Sequence, residues 1–312
     1  RWDLTAAVIN GVIGSGIFGL PAVLAALTGV LSPLAALAAG GGILLIVLCF
    51  AEVGSRFREH GGVYLYARAA YGPLVGFEVG WLLIWTRLLS AAANLNLFVL
   101  YLGELWPELA IGAPRAIVMA ALVATIAVTN IIGVRSATWS IDAFTIAKLV
   151  PLALLIVLGL PQVDGEVIAT QAVADPDWTQ AVLVMMFAFG GFESALLPAG
   201  EMRDPKRDIG FALLVGLAVI ATVYLLVQLV VIGTVAHAGE TKAPLAQALG
   251  VLLGPPGVVL ASVAAMISVY GWTTGATLAQ PRVIHAMAER GELPAPLARA
   301  HRRSRTPPRA TV

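Results

Sequence analysis

Three ionisable side chains, Arg87, Lys148 and Glu193, each lie inside a long apolar run. A charge held at mid-bilayer is costly, so such residues pair with one another, bind backbone carbonyls, or mark a transport path. Two glycine-interrupted stretches accompany them. The first reads Ile9-Asn10-Gly11-Val12-Ile13-Gly14-Ser15-Gly16-Ile17-Phe18-Gly19-Leu20-Pro21, and the second Phe187-Ala188-Phe189-Gly190-Gly191-Phe192-Glu193. Glycine and proline at that density work against a continuous helix. A break at mid-membrane frees backbone groups that must find partners. Freed N–H groups at the positive end of a half-helix suit a carboxylate, and freed carbonyls suit an ammonium. A zwitterionic amino acid presents both. Close helix packing is the plainer reading of the glycines, and a structural pair with a neighbouring helix is the plainer reading of Glu193.

The elements that must position these groups follow from composition. The chain has 312 residues, 59% hydrophobic and only 12% charged, and its mean hydropathy is +0.89. A soluble domain carries about a quarter charged residues, so the surface must face lipid. A net charge of +1 gives no case for nucleic acid. The lone Cys49 cannot form an internal disulfide, and no Cys/His spacing suggests a metal or cofactor. The apolar segments are continuous runs and do not alternate as barrel strands do. The fold class expected is an all-α membrane protein.

A bilayer core needs about 20 apolar helical residues. That length predicts eight spans, at 4–27, 32–53, 73–101, 115–133, 140–160, 179–200, 209–235 and 256–279. The stretch 244–253 is too short to cross and reads as a short helix on the outer face. With the first residue inside, most of the 19 basic residues fall in inner segments, while the outer ones hold only Arg115 and Lys242. The excess of basic residues on the inner side places both ends of the chain in the cytoplasm. Spans one and six, the two interrupted ones, are the first members of two five-span repeats. Interruptions at matching positions in two halves are a pointer to a transporter's binding site. The division expected is a first repeat over 1–160, a partial second repeat over 179–280, and a cytoplasmic segment over 281–312.

Gly14-Ser15-Gly16-Ile17-Phe18 resembles a signature in the first helix of amino acid/polyamine/organocation (APC) permeases, and Phe189-Gly190-Gly191-Phe192-Glu193 resembles their broken sixth helix. Gly200-Glu201-Met202-Arg203-Asp204-Pro205 is similar to the loop after that helix. Pro281-Arg282-Val283-Ile284-His285-Ala286-Met287 is similar to the inner segment after the eighth helix, and Gly61-Gly62-Val63-Tyr64 and Gly76-Phe77-Glu78-Val79-Gly80-Trp81 also fit. The resemblance implies a LeuT-like bundle of two inverted five-helix repeats, working as a secondary transporter of amino acids in a bacterial cytoplasmic membrane. Its partners would be the bilayer, an amino acid and, as coupling ion, protons. It further implies that Gly14, Ser15, Gly16 and Ile17 bind the substrate carboxylate and that carbonyls near Phe189, Gly190 and Gly191 bind the amino group. Phe192 would cap the substrate, and plain lipid or core packing is the blander reading of the Phe189 and Phe192 rings. Asn94 in the third span either faces the substrate or bonds to another helix.

Lys148 would stand in the place of a sodium ion, tying the fifth helix to the first break and to Ser268 on the eighth. Lys148, Ser268 and Glu193 form the coupling set; snorkelling to the inner surface is the plainer reading of the lysine. Ten to twelve helices are usual for such permeases, so the chain reads as a fragment. A polyamine or organic cation carrier on the same scaffold is the alternative. A membrane enzyme or receptor is remoter, since no span contains a histidine or a protease motif.

Overall fold

The computed structural model describes residues 2–54, 56, 62–132, 137–193 and 205–298. The described chain is helical: α1 (Trp2–Val12), α2 (Gly16–Thr28), α3 (Ser32–Gly54), α4 (Gly62–Tyr71), α5 (Pro73–Leu105), α6 (Gly112–Ile132), α7 (Ala137–Gly159), α8 (Gly165–Ala169), α9 (Trp178–Ala188), α10 (Pro205–Thr234), α11 (Pro244–Leu253) and α12 (Pro255–Glu289). Glycine and proline set most of the boundaries. Gly72 and Gly254 take positive φ just before Pro73 and Pro255, so each turn ends where a proline pre-set for helix begins.

Among the described residues, five stretches are long and apolar enough to cross a membrane: Gly16–Gly54, which holds two helices, Pro73–Leu105, Gly112–Thr129, Arg207–Thr234 and Pro255–Thr274. Lys148–Gln162 and Trp178–Ala188 are shorter apolar stretches that overlap the fifth and sixth expected spans. Leu45, Leu82, Leu89 and Ile117 lie on the outside of the bundle with most of their area exposed. In water that surface would be prohibitive; against lipid tails it is the expected one.

The two expected interruptions are present, and one short segment packs more closely than its length alone implies. The first span is two helices, α1 and α2, with residues 13–15 between them. The sixth span stops as a helix at Ala188; residues 194–204 lie outside the described residues, as does the basic tail beyond 298. The short 244–253 segment does form a helix, but α11 buries Leu245, Ala246, Ala248 and Leu249 against the bundle. Its neighbours are α12, α7, α2 and α10. One face of it is packed on the bundle, while Val251 stays exposed.

The core sits where the short half-helices meet the long ones. α1 packs on α10, α2 and α3 on α9, and α5 on α12. Ile13, Phe18, Tyr101, Phe189 and Tyr224 are fully buried there. The Tyr101 hydroxyl donates to the Phe18 carbonyl at 2.7 Å, and their rings meet edge to face at 6.1 Å. A buried phenol needs such a partner; this one takes a carbonyl of α2 and fixes α5 against it.

Candidate substrate site at the paired helix breaks

The first break begins where α1 ends. Ile13 N–H still bonds back to Ile9 O at 2.8 Å, but Gly14 N–H turns to Val12 O at 2.7 Å, and α2 starts at Gly16. The last turn of a helix leaves its carbonyls without partners. Here other helices supply them. The Lys148 ammonium, from α7, donates to Asn10 O at 2.7 Å and to Ile13 O at 2.6 Å. The Tyr224 hydroxyl, from α10, lies 3.2 Å from Val12 O. Ser268, from α12, makes a long contact of 3.5 Å to Gly14 O. Lys148 is 4% exposed, so its charge is directed across the bundle and does not reach toward an aqueous surface.

The second break comes after α9. Gly190 N–H bonds to Phe187 O at 3.0 Å, and Gly191 takes φ +114°, a conformation that in practice only glycine adopts. The Gly191 N–H donates to Glu193 Oε2 at 2.9 Å, and Glu193 Oε1 pairs with the Arg87 guanidinium from α5. The two breaks touch. A Cβ on Gly191 would stand 2.5 Å from Gly11 O, and one on Gly16 would stand 3.1 Å from the Ala188 Cβ.

Tyr224 lies between them, with its hydroxyl 2.9 Å from Ala188 O as well as 3.2 Å from Val12 O. One proton serves the two half-helix ends. Tyr224→Phe should therefore lower stability by about 1–2 kcal/mol, the worth of a buried hydrogen bond plus a stranded carbonyl. Thermal unfolding in detergent reads the loss, and an unchanged midpoint would remove Tyr224 as the link between the breaks.

A cavity of about 120 Å³ opens at the meeting point. The first break contributes Gly14, Ser15 and Gly16, and the second Gly190, Gly191 and Glu193. From α5 come Thr86, Arg87, Ser90 and Asn94, and from α12 Trp272. Among the residues expected from sequence, Gly14, Ser15, Gly16, Gly190, Gly191, Asn94 and Glu193 thus meet at one place.

Ile17, Phe189 and Phe192 do not line this cavity. Ile17 faces a smaller void beside Pro21 and Tyr224. The Phe189 ring is buried against Tyr224 at 5.1 Å, and the Phe192 ring packs on Phe50 of α3 at 5.4 Å. The turn at Gly191 carries Phe192 away from the cavity, so the aromatic that lines it from this segment is Phe187. Lys148 and Ser268 stand behind the first break, outside the cavity lining. Thr86, Ser90 and Asn94 recur every four residues, the spacing of one helix face, and that polar stripe was a readable signal for the α5 wall. Trp272 had none beyond its position one turn after Ser268.

A model of the amino acid permease family matches residues 1–312. The chain belongs to the amino acid permease family. Its fold is accordingly that of a LeuT-like helical transporter, and its relatives are transporters rather than enzymes. The chain is 32% identical to the serine/threonine exchanger SteT of Bacillus subtilis over 315 residues, covering 96% of this chain and 70% of that one. It is 32% identical to a putative arginine/ornithine antiporter of Escherichia coli over 300 residues, covering 86% of this chain and 64% of that one. An uncharacterized transporter of Mycobacterium bovis is 27% identical, with 93% and 66% covered. This permease chain thus spans about two thirds of the length of the curated relatives it matches.

Proposed function

We propose that this permease carries amino acids across a bacterial cytoplasmic membrane through the cavity between the two helix breaks, by proton symport or by exchange. One observation carries the reading: two interrupted helices present opposite backbone polarity to one small cavity. The first turn of α2 offers amides that helix geometry leaves without an i−4 acceptor. Ser15, Gly16 and Ile17 supply them, and the dipole there favours a carboxylate. The end of α9 offers carbonyls around Phe189 and Gly190 for an ammonium. Neither Ile17 nor Phe189 lines the cavity and both side chains are buried, so on this proposal each takes part only by a backbone group turned toward the substrate. Asn94 and Trp272 then bound the space left for the side chain.

The wider organisation fits the same plan. The two breaks head two inverted repeats, 1–160 and 179–280, and the basic residues keep both ends of the chain inside. Lys148 ties α7 to the first break and acts in coupling, with Ser268 beside it. Relatives named as an exchanger and an antiporter favour exchange. An organic cation is the second reading, because Glu193 faces the cavity, but Arg87 pairs with that carboxylate and weakens the case.

The test is reconstitution of the chain, within its full reading frame, in proteoliposomes. Labelled amino acids and polyamines are offered with and without an inward proton gradient, and with unlabelled amino acid preloaded. Amino acid uptake is expected in at least one mode. A well-folded protein that moved polyamines only, or nothing, would overturn the proposal.

A further inference from the structure

The Arg87–Glu193 pair belongs to the cavity wall, yet neither the carboxylate-binding nor the ammonium-binding end of the site needs it. We infer that this pair sets the charge class of the substrate side chain, admitting uncharged amino acids and excluding both cationic and anionic ones. The inference rests on the proposal that the chain transports amino acids.

Both side chains line the cavity, and each keeps about a fifth of its area open, 21% for Arg87 and 21% for Glu193. They are therefore within reach of whatever occupies it. Glu193 is fixed twice, by Arg87 and by the Gly191 N–H at 2.9 Å, so the carboxylate is part of the second break and not a free arm. Arg87 comes from α5 and Glu193 from the turn after α9, so the pair is built by two elements that meet at the cavity.

Closed on itself, the pair presents no net charge. A substrate ammonium or guanidinium side chain would have to compete with Arg87 for Glu193, and would then sit beside the displaced Arg87 charge. A substrate carboxylate side chain would meet the mirror-image problem. Like charges brought together where water is scarce repel strongly, and rejection of wrong substrates by such repulsion is a common source of specificity. Serine, threonine, alanine and similar side chains disturb nothing. A cavity of about 120 Å³ is also matched to a small substrate.

Neutralising one partner should convert the preference. Arg87→Gln leaves Glu193 with an amide donor but no counter-charge, which suits a cationic side chain. Glu193→Gln keeps an acceptor for the Gly191 N–H and leaves Arg87 positive, which suits an anionic one. The experiment measures competition by uncharged, cationic and anionic amino acids against one labelled uncharged substrate in proteoliposomes. Within each variant the result is a ratio, so it is independent of expression level. Wild type should favour uncharged competitors by at least about tenfold. Arg87→Gln should shift the ratio toward lysine and arginine by a similar factor, and Glu193→Gln toward aspartate and glutamate. Arg87→Gln/Glu193→Gln, with neither charge, should show neither shift.

Wild type that accepts charged and uncharged amino acids alike would overturn the inference, as would single variants whose order matches wild type. Should one single variant not survive purification, the other single variant and the wild-type order still decide it. Wild type that moves no amino acid at all would instead overturn the transport reading beneath it.

Discussion

Replacing Lys148 with methionine is expected to reduce gradient-driven uptake at least about a hundredfold, a change of about 2.7 kcal/mol. The ammonium is the partner of two carbonyls at the end of α1, Asn10 O at 2.7 Å and Ile13 O at 2.6 Å. Methionine fills similar volume and offers no donor. Each stranded carbonyl costs about 1–3 kcal/mol in a site without water, and both lie beside the break that shapes the cavity. The helix end also loses a cation placed at the negative end of its dipole. Lys148→Arg keeps the charge, but a planar guanidinium does not reproduce a point donor set between two carbonyls, so partial recovery is expected.

Counterflow at equal proton concentration separates the two roles of this lysine. Loss of both uptake and counterflow would mean that the tie shapes the site. Loss of gradient-driven uptake with counterflow intact would mean that the ammonium serves coupling. Uptake and counterflow both at wild-type levels would show that the first break needs no cross-bundle tie.

Helix boundaries were legible where a physical stop existed. The expected span 32–53 is Ser32–Gly54, and the short segment 244–253 is Pro244–Leu253, because proline and glycine mark those ends. Helix α4 was missed for the opposite reason. Ten residues with Arg68 near the end are too short and too polar for a spanning window, although Tyr64 and Tyr66 are buried. The Tyr64 hydroxyl donates to Glu292 at 2.6 Å, a contact across 228 residues that no local pattern announces. Arg87 posed the same problem at 106 residues' separation. Its burial cost signalled that a partner existed, but only the fold could bring Glu193 to it.

The aromatic at the second break failed for a different reason. Phe187, Phe189 and Phe192 cannot be assigned to faces by helical periodicity once the helix stops at Ala188. The positive φ of Gly191 resets the direction of every side chain after it. Glycines predicted where the chain would break, and the break erased the periodicity that would have told which ring faced the substrate.

Gly191→Ala is expected to be nearly as damaging as the loss of Lys148, and Gly190→Ala far less so, although the two glycines are adjacent. At Gly191 the backbone has φ +114°, where an L side chain costs about 1–3 kcal/mol. The added methyl would also stand 2.5 Å from Gly11 O and 3.1 Å from Gly11 C. Those are backbone atoms of α1, one residue from the carbonyls that Lys148 and Tyr224 hold. The clash cannot be relieved by a rotamer change; the two breaks must move apart. At Gly190 the nearest atom is Phe187 O at 3.1 Å, a tight contact within the same turn, and the backbone is ordinary. Uptake should therefore fall more than about tenfold further in Gly191→Ala than in Gly190→Ala, with the unfolding midpoint following the same order. Equal effects at the two positions would mean that the glycines serve local turn flexibility. A large difference would mean that the close approach of the two broken helices is what the site requires.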